Sequence, residues 1–236
     1  MSSVPSTADS PNSPMRWKLG LQLAIVAILS VCHSAASQCT RGCDLALASY
    51  YVWENSNLTF ILRVMQSSIL QSTDFDKILS YNPQVANKDS VSQGIRINVP
   101  FPCGCINGEF LAHVFNYSVT RGDTYGIVAN RYYANLTTVQ WLQQFNSYDA
   151  NRIPDTAVLN VTVNCSCGDS AINKSYGLFT TYPLRPGETV ESVARTNNVT
   201  VDLLRSYNVG VNFSRGSGLV YIPSKGNSFL VFHFDL

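Results

Sequence analysis

Three times along the chain, a short run of alternating apolar and polar positions gives way to stretches where apolar residues recur at helical spacing, and then to a second apolar run. Tyr117 to Thr120 alternates as a half-buried strand does, Gly122-Asp123-Thr124 offers a turn and a helix N-cap, and the residues that follow predict a first helix. A second helix is expected through Leu136 to Phe145, closing near Asn146, and the run Leu159 to Val163 returns to pair with the first strand. The same succession leads from Tyr182 through Gly187-Glu188-Thr189 and a helix over Val201 to Tyr207, and ends on Val220-Tyr221-Ile222-Pro223. An earlier copy, about Ala46 to Pro100, is degenerate at its start but keeps Leu79-Ser80-Tyr81-Asn82, the counterpart of Leu204-Arg205-Ser206-Tyr207-Asn208. Ile97 to Cys105 overlies Leu159 to Cys167 at a constant offset of 62 residues (103 to 165). The expected fold class is α+β, built from three strand-helix-helix-strand units. Units of roughly 45–60 residues lie near the lower limit of a self-sufficient core, so crosslinks between them have a part in stability.

Composition narrows the functional classes. Charged residues make up 13% of the chain and the net charge is +1, so there is no basic footprint for nucleic acid. Surface solubility has another source in eight Asn-x-Ser/Thr sequons, at Asn57, Asn116, Asn135, Asn160, Asn164, Asn173, Asn198 and Asn212. These matter only on the secretory route, and the N-terminus predicts that route. Met15-Arg16-Trp17-Lys18 is a basic flank, Leu19 to Val31 a largely apolar run, and Ser34-Ala35-Ala36-Ser37 a small-residue cleavage region. Residues 1–37 are read as a signal peptide, with Met15 as an alternative start. Its apolar run of 13 residues (19 to 31) is too short to span a bilayer.

Cys32 belongs to that leader, which leaves Cys39, Cys43, Cys103, Cys105, Cys165 and Cys167. Zinc ligation is the competing reading of such pairs, but the oxidising route and the C-x-C spacing favour disulfides, and no metal or cofactor is expected. Six cysteines allow 15 connectivities. Neighbours in a C-x-C are poorly placed to bond each other, so each pair should send bridges to different partners.

The pattern Tyr-x-Val-x-x-Gly-Asp-Thr, then Val-Ala, then Asn, then a closing apolar strand, resembles the LysM module that binds N-acetylglucosamine polymers. Three such units with C-x3-C, C-x-C and C-x-C resemble the ectodomain of plant LysM receptor-like kinases. Cys43-Asp44-Leu45-Ala46-Leu47-Ala48-Ser49-Tyr50-Tyr51, Tyr132-Tyr133-Ala134-Asn135-Leu136 and Gly177-Leu178-Phe179-Thr180-Thr181-Tyr182 bring it close to the chitin elicitor and Nod factor receptor subgroup. The resemblance implies a Cys-rich segment (38–45), a first LysM module (46–102), a linker (103–116), a second module (117–164), a linker (165–177), a third module (178–224) and a non-family tail (225–236). It implies the disulfides Cys39 to Cys105, Cys43 to Cys167 and Cys103 to Cys165. It also implies a sugar groove in the second module, formed by Arg121, Gly122, Asp123, Thr124 and Gly126 with Val139, Ala150 and Ile153 opposite. Small and aliphatic residues there offer backbone groups and an apolar rest for an N-acetyl methyl. Some chitin-binding members carry acidic side chains where Gly122 and Gly126 stand.

Plainer readings compete on the same residues. Asp123 and Thr124 fit a helix cap, Val139 and Ile153 fit core positions, and Trp53 and Trp141 are read as packing. His113 and His233 have no nucleophile or carboxylate grouped with them in sequence, and no carboxylate pair suggests glycosidase chemistry, so the chain is not expected to be an enzyme. The tail Gly226 to Leu236 has at most four consecutive apolar residues, too few for a membrane anchor. The expected product is a secreted, apoplastic binder of chitin-type oligosaccharides without a direct membrane anchor, acting as sensor or decoy beside membrane-bound LysM receptors. The alternative is a subunit that docks a LysM co-receptor without its own sugar affinity.

Overall fold

The computed structural model describes residues 39–168 and 177–224. The expected leader, the sequon at Asn173 and the tail 225–236 lie outside the described residues. The first unit comprises β1 (Cys43–Tyr51), α1 (Leu58–Val64), α2 (Phe75–Ser80) and β2 (Arg96–Ile106). The second comprises β3 (Phe110–Ser118), α3 (Tyr125–Ile127) running into a π-helical turn (Val128–Tyr132), α4 (Val139–Phe145) and β4 (Val158–Asn164). The third comprises β5 (Leu178–Pro183), α5 (Val190–Thr196), α6 (Val201–Tyr207), a 3-10 turn (Phe213–Arg215) and β6 (Leu219–Ser224).

The strands form one sheet in the order β4-β3-β2-β1-β5-β6. Each unit's own two strands pair antiparallel, and β1 meets β5 in parallel at Leu47 with Thr180 and Ala48 with Thr181. Central placement explains why β1 does not alternate: Ala46 to Tyr50 are all buried, as residues covered on both faces must be. The edge strand β4 alternates exposed and buried positions over Val158 to Val161.

Residues 103–116, expected as a linker, are strand and turn instead. β2 and β3 pair across Gly104 with Ala112 through Ile106 with Phe110. The turn between them closes with Glu109 N–H on Ile106 O at 2.9 Å. Asn107 (φ 52°) and Gly108 (φ 76°) are both left-handed, the backbone that Asn-Gly favours in hairpins. The second unit's first strand therefore starts at Phe110, earlier than Tyr117. Its second helix starts at Val139, later than Leu136, because Ala134 (φ 51°) and Asn135 (φ 64°) break the helical path and Thr138 caps a fresh start by accepting from Trp141 N–H at 3.1 Å.

One asparagine in each unit ties its second helix to its closing strand. The Asn82 amide donates to Ile78 O and Asn98 O, both at 2.8 Å, and its oxygen accepts from Asn98 N–H at 2.8 Å. Asn146 does the same with Leu142 O, Asn160 O and Asn160 N–H, each at 2.9 Å. Asn208 repeats it with Leu204 O, Tyr221 O and Tyr221 N–H, each at 2.8 Å. Every lone pair and proton used is matched, which is how a buried amide avoids a desolvation penalty.

A continuous core joins the first and second units, and a smaller one fills the third. Buried tyrosines bring their hydroxyls to partners across units. Tyr50 donates to Tyr132 O at 2.8 Å and Tyr133 to Val64 O at 2.7 Å. Disulfides join Cys39 to Cys105, Cys43 to Cys167 and Cys103 to Cys165, the connectivity that the resemblance implies. Cys43 and Cys103 are register partners on β1 and β2, so the bridges converge at one end of the sheet. With their sulfurs in disulfides, these cysteines are not thiolate ligands.

Candidate functional site

The loop before α3 is shaped by Asp123. Its Oδ2 accepts from Tyr117 Oη at 2.7 Å, Thr120 N–H at 2.7 Å and Thr120 Oγ1 at 2.9 Å. With the residue 5% exposed, that carboxylate holds the turn and does not cap the helix. Burial, and then the Asp123 carboxylate beside it, push the Tyr117 phenol up from its ordinary value. Thr124 is the cap: its Oγ1 accepts from Ile127 N–H at 3.2 Å. Gly122 (φ 90°) is left-handed with open space where a side chain would start.

Tyr125 laces this loop to the one after α4. Its backbone N–H donates to Ala150 O at 2.9 Å, and its hydroxyl donates to Tyr148 O at 3.2 Å. The far loop is stiffened by Asp149, which accepts from Asn151 N–H at 2.8 Å. Arg121 and Gly122 are exposed, Thr124, Gly126, Val139 and Ala150 half-buried, and Asp123 and Ile153 buried. Arg121 to Gly126 and Ala150 are thus brought together, while Ile153 supports them from the core. Val139 packs partly on the same core at the first position of α4 and also lines a cleft toward the third unit.

Sequence reasoning missed Tyr125, the residue that couples the two loops, although an aromatic directly after Gly-Asp-Thr was a legible signal. It also missed the exposed apolar groups at Ile127 and Tyr148; an aromatic within the polar stretch Asn146-Ser-Tyr148-Asp was the cue for the latter. The tryptophans pack. Trp53 Nε1–H donates to Tyr50 Oη at 3.0 Å and meets Phe60 edge-on at 5.4 Å, and Trp141 stacks on Phe145 at 5.3 Å. His113 lies against Phe115 at 4.5 Å and Phe101 at 5.9 Å.

The third unit repeats the loop chemistry with Glu188. Its carboxylate accepts from Tyr182 Oη at 2.6 Å and Arg185 N–H at 2.7 Å, and Thr189 caps α5 in a capping box with Ser192. Glu188 also pairs with Arg96 of β2 at 3.2 Å. That guanidinium donates to Pro183 O at 2.8 Å and lies 3.7 Å over the Tyr182 ring, which latches the first unit to the third.

A family model described as the LYK3/4/5 LysM2 domain matches residues 110–163, and a LysM domain model of receptor-like kinases matches residues 180–223. The chain is 50% identical over 212 residues to LysM domain receptor-like kinase 3 of Medicago truncatula, covering 89% of this chain and 34% of that protein. It is 46% identical over 213 residues to chitin elicitor receptor kinase 1 of Arabidopsis thaliana, covering 89% and 34% respectively. The crystal structure of the LYK3 ectodomain superposes with a TM-score of 0.76 at 52% identity, over 79% of this chain and 92% of that one. The chain spans about a third of the length of the curated relatives it matches.

Proposed function

Because the chain belongs to the family of LysM receptor-kinase ectodomains, we propose that its second unit binds N-acetylglucosamine oligomers of the chitin type. The sugar lies on the surface shared by Arg121 to Gly126 and Ala150. The observation that carries this reading is the Tyr125 lacing: two hydrogen bonds from one buried residue hold both loops in place before any ligand arrives, which lowers the ordering cost of binding. Half-buried small and aliphatic residues then give the N-acetyl methyl a rest, and loop backbone groups give its amide partners. The first unit acts as a third LysM module, supported by the Asn82 bridge that it shares with the other two. The leader-like segment and the sequons support an extracellular site of action, beside membrane-bound relatives of the same family.

Calorimetry with N-acetylglucosamine oligomers of increasing length tests the reading. Heat that grows with length, and a loss of at least tenfold in affinity on Ala150→Tyr at unchanged melting temperature, is the expected result. Equal affinity in Ala150→Tyr removes the groove from consideration. No heat at any length leaves docking of a co-receptor as the function of these modules.

A further inference from the structure

A second concave site lies away from that groove. A cleft of about 620 Å³ opens between the second and third units, within the roughly 300–1,000 Å³ of small-ligand pockets. One wall is the start of α4 and the turn before it; the other is the backbone around Pro186 and Gly216 to Leu219. Thr137 and Thr162 line it at 3% and 2% exposure. Neither hydroxyl has a hydrogen-bond partner among the described residues, a state that folding normally avoids. The turn that presents Thr137 also holds Ala134 and Asn135 in left-handed conformation, and backbone strain of this kind gathers at ligand sites.

The lining says what fits. No aspartate or glutamate is among its described residues, and the one cation, Arg185, has its guanidinium 3.6 Å over the Tyr51 ring. What remains is neutral: the amides of Asn135, Gln140 and Asn164, the two unpaired hydroxyls, and the apolar flanks of Val139, Trp141 and Leu184. A neutral ring carrying hydroxyl and N-acetyl groups supplies donors, acceptors and an apolar methyl together. Asn135 and Asn164 are themselves sequon asparagines, and an N-linked glycan begins with N-acetylglucosamine. We propose that this cleft is an N-acetylglucosamine site separate from the groove, filled either by free oligosaccharide or by the first sugars of the chain's own glycan at Asn135 or Asn164. The assignment is independent of sugar binding at Ala150.

Threonine-methyl NMR on the Ala150→Tyr variant tests it with N,N′-diacetylchitobiose as the probe. Protein made in a bacterial periplasm, which adds no N-glycan, is compared with protein from a glycosylating host. The expected result is a saturable shift of the Thr137 and Thr162 signals in the unglycosylated form, weakened at least tenfold by Gln140→Trp at the exposed rim. If the glycosylated protein already shows the shifted Thr162 signal and ignores the probe, the chain's own glycan is the occupant. If it responds like the unglycosylated protein, free sugar is. The proposal is overturned if the Thr162 signal neither moves with the probe nor differs between the two forms.

Discussion

At the scale of single residues, adjacent positions divide the work that a motif reading lumps together. In Gly122-Asp123-Thr124 the glycine turns the chain, the aspartate closes the turn and the threonine starts the helix. Replacing Thr124 by Ala should therefore cost about 0.5–2 kcal/mol in denaturant unfolding whether or not sugar is present, in contrast to the binding-only loss expected from Ala150→Tyr. His113 offers a second test. Burial against Phe101 and Phe115 lowers its pKa from the ordinary 6.5, with a hydrogen bond to the Pro102 carbonyl acting in the opposite sense. The unfolded chain thus takes up this proton at higher pH than the folded one. Stability from this residue is complete above pH of about 6.5 and declines as pH falls through that value. The fall in melting temperature between pH 7.5 and 5 should be smaller in His113→Gln; an unchanged slope would show that other groups set it.

At the scale of elements, the repeated asparagines make the most exacting claim. Asn208→Ala removes three bonds at once and leaves the partly buried backbone groups of Tyr221 and the buried Leu204 carbonyl without that partner, so a loss of about 2–4 kcal/mol is expected in urea unfolding, and less than 0.5 would refute the bridging role. The order of strands and helices was legible because apolar periodicity reports burial on one face, and the recurring Tyr-Asn ending made the degenerate first unit recognisable. The boundaries that failed did so for local reasons. Phe110 to Asn116 is apolar enough for a strand, but proximity to Cys103 and Cys105 drew it into a linker, and the Asn107-Gly108 hairpin signal went unused. Leu136 is fully buried and fits a helical face, yet two left-handed residues before it delay α4 to Val139. The loops proposed to form the groove were singled out only by likeness to known relatives. Their coupling through Tyr125 depends on a long-range backbone bond, which no local pattern encodes.

At the scale of the whole molecule, the core shared by the first two units and the smaller core of the third are held together by crosslinks and by a charged latch. Arg96 and Glu188 are 15% and 21% exposed in their side chains, so they are partly screened. Arg96→Ala should cost roughly 2–4 kcal/mol, somewhat below a fully buried pair, and the loss should appear in unfolding of the third unit by hydrogen exchange before that of the second. Protection lost equally in both units would refute a latch between the first and third. The sheet order carries a further consequence, which concerns synthesis. β1 is the first of the described strands to leave the ribosome, yet its second neighbour, β5, pairs through Thr180 with Leu47, 133 positions earlier (180 minus 47). At roughly 5–20 residues per second, one edge of that strand waits on the order of ten seconds for its partner, and an unpaired edge invites association with other chains. Synonymous codons that slow translation between residues 101 and 177 should therefore lower the yield of correctly bridged protein on non-reducing gels, whereas the same slowing before residue 43, when β1 has not yet been made, should leave it unchanged.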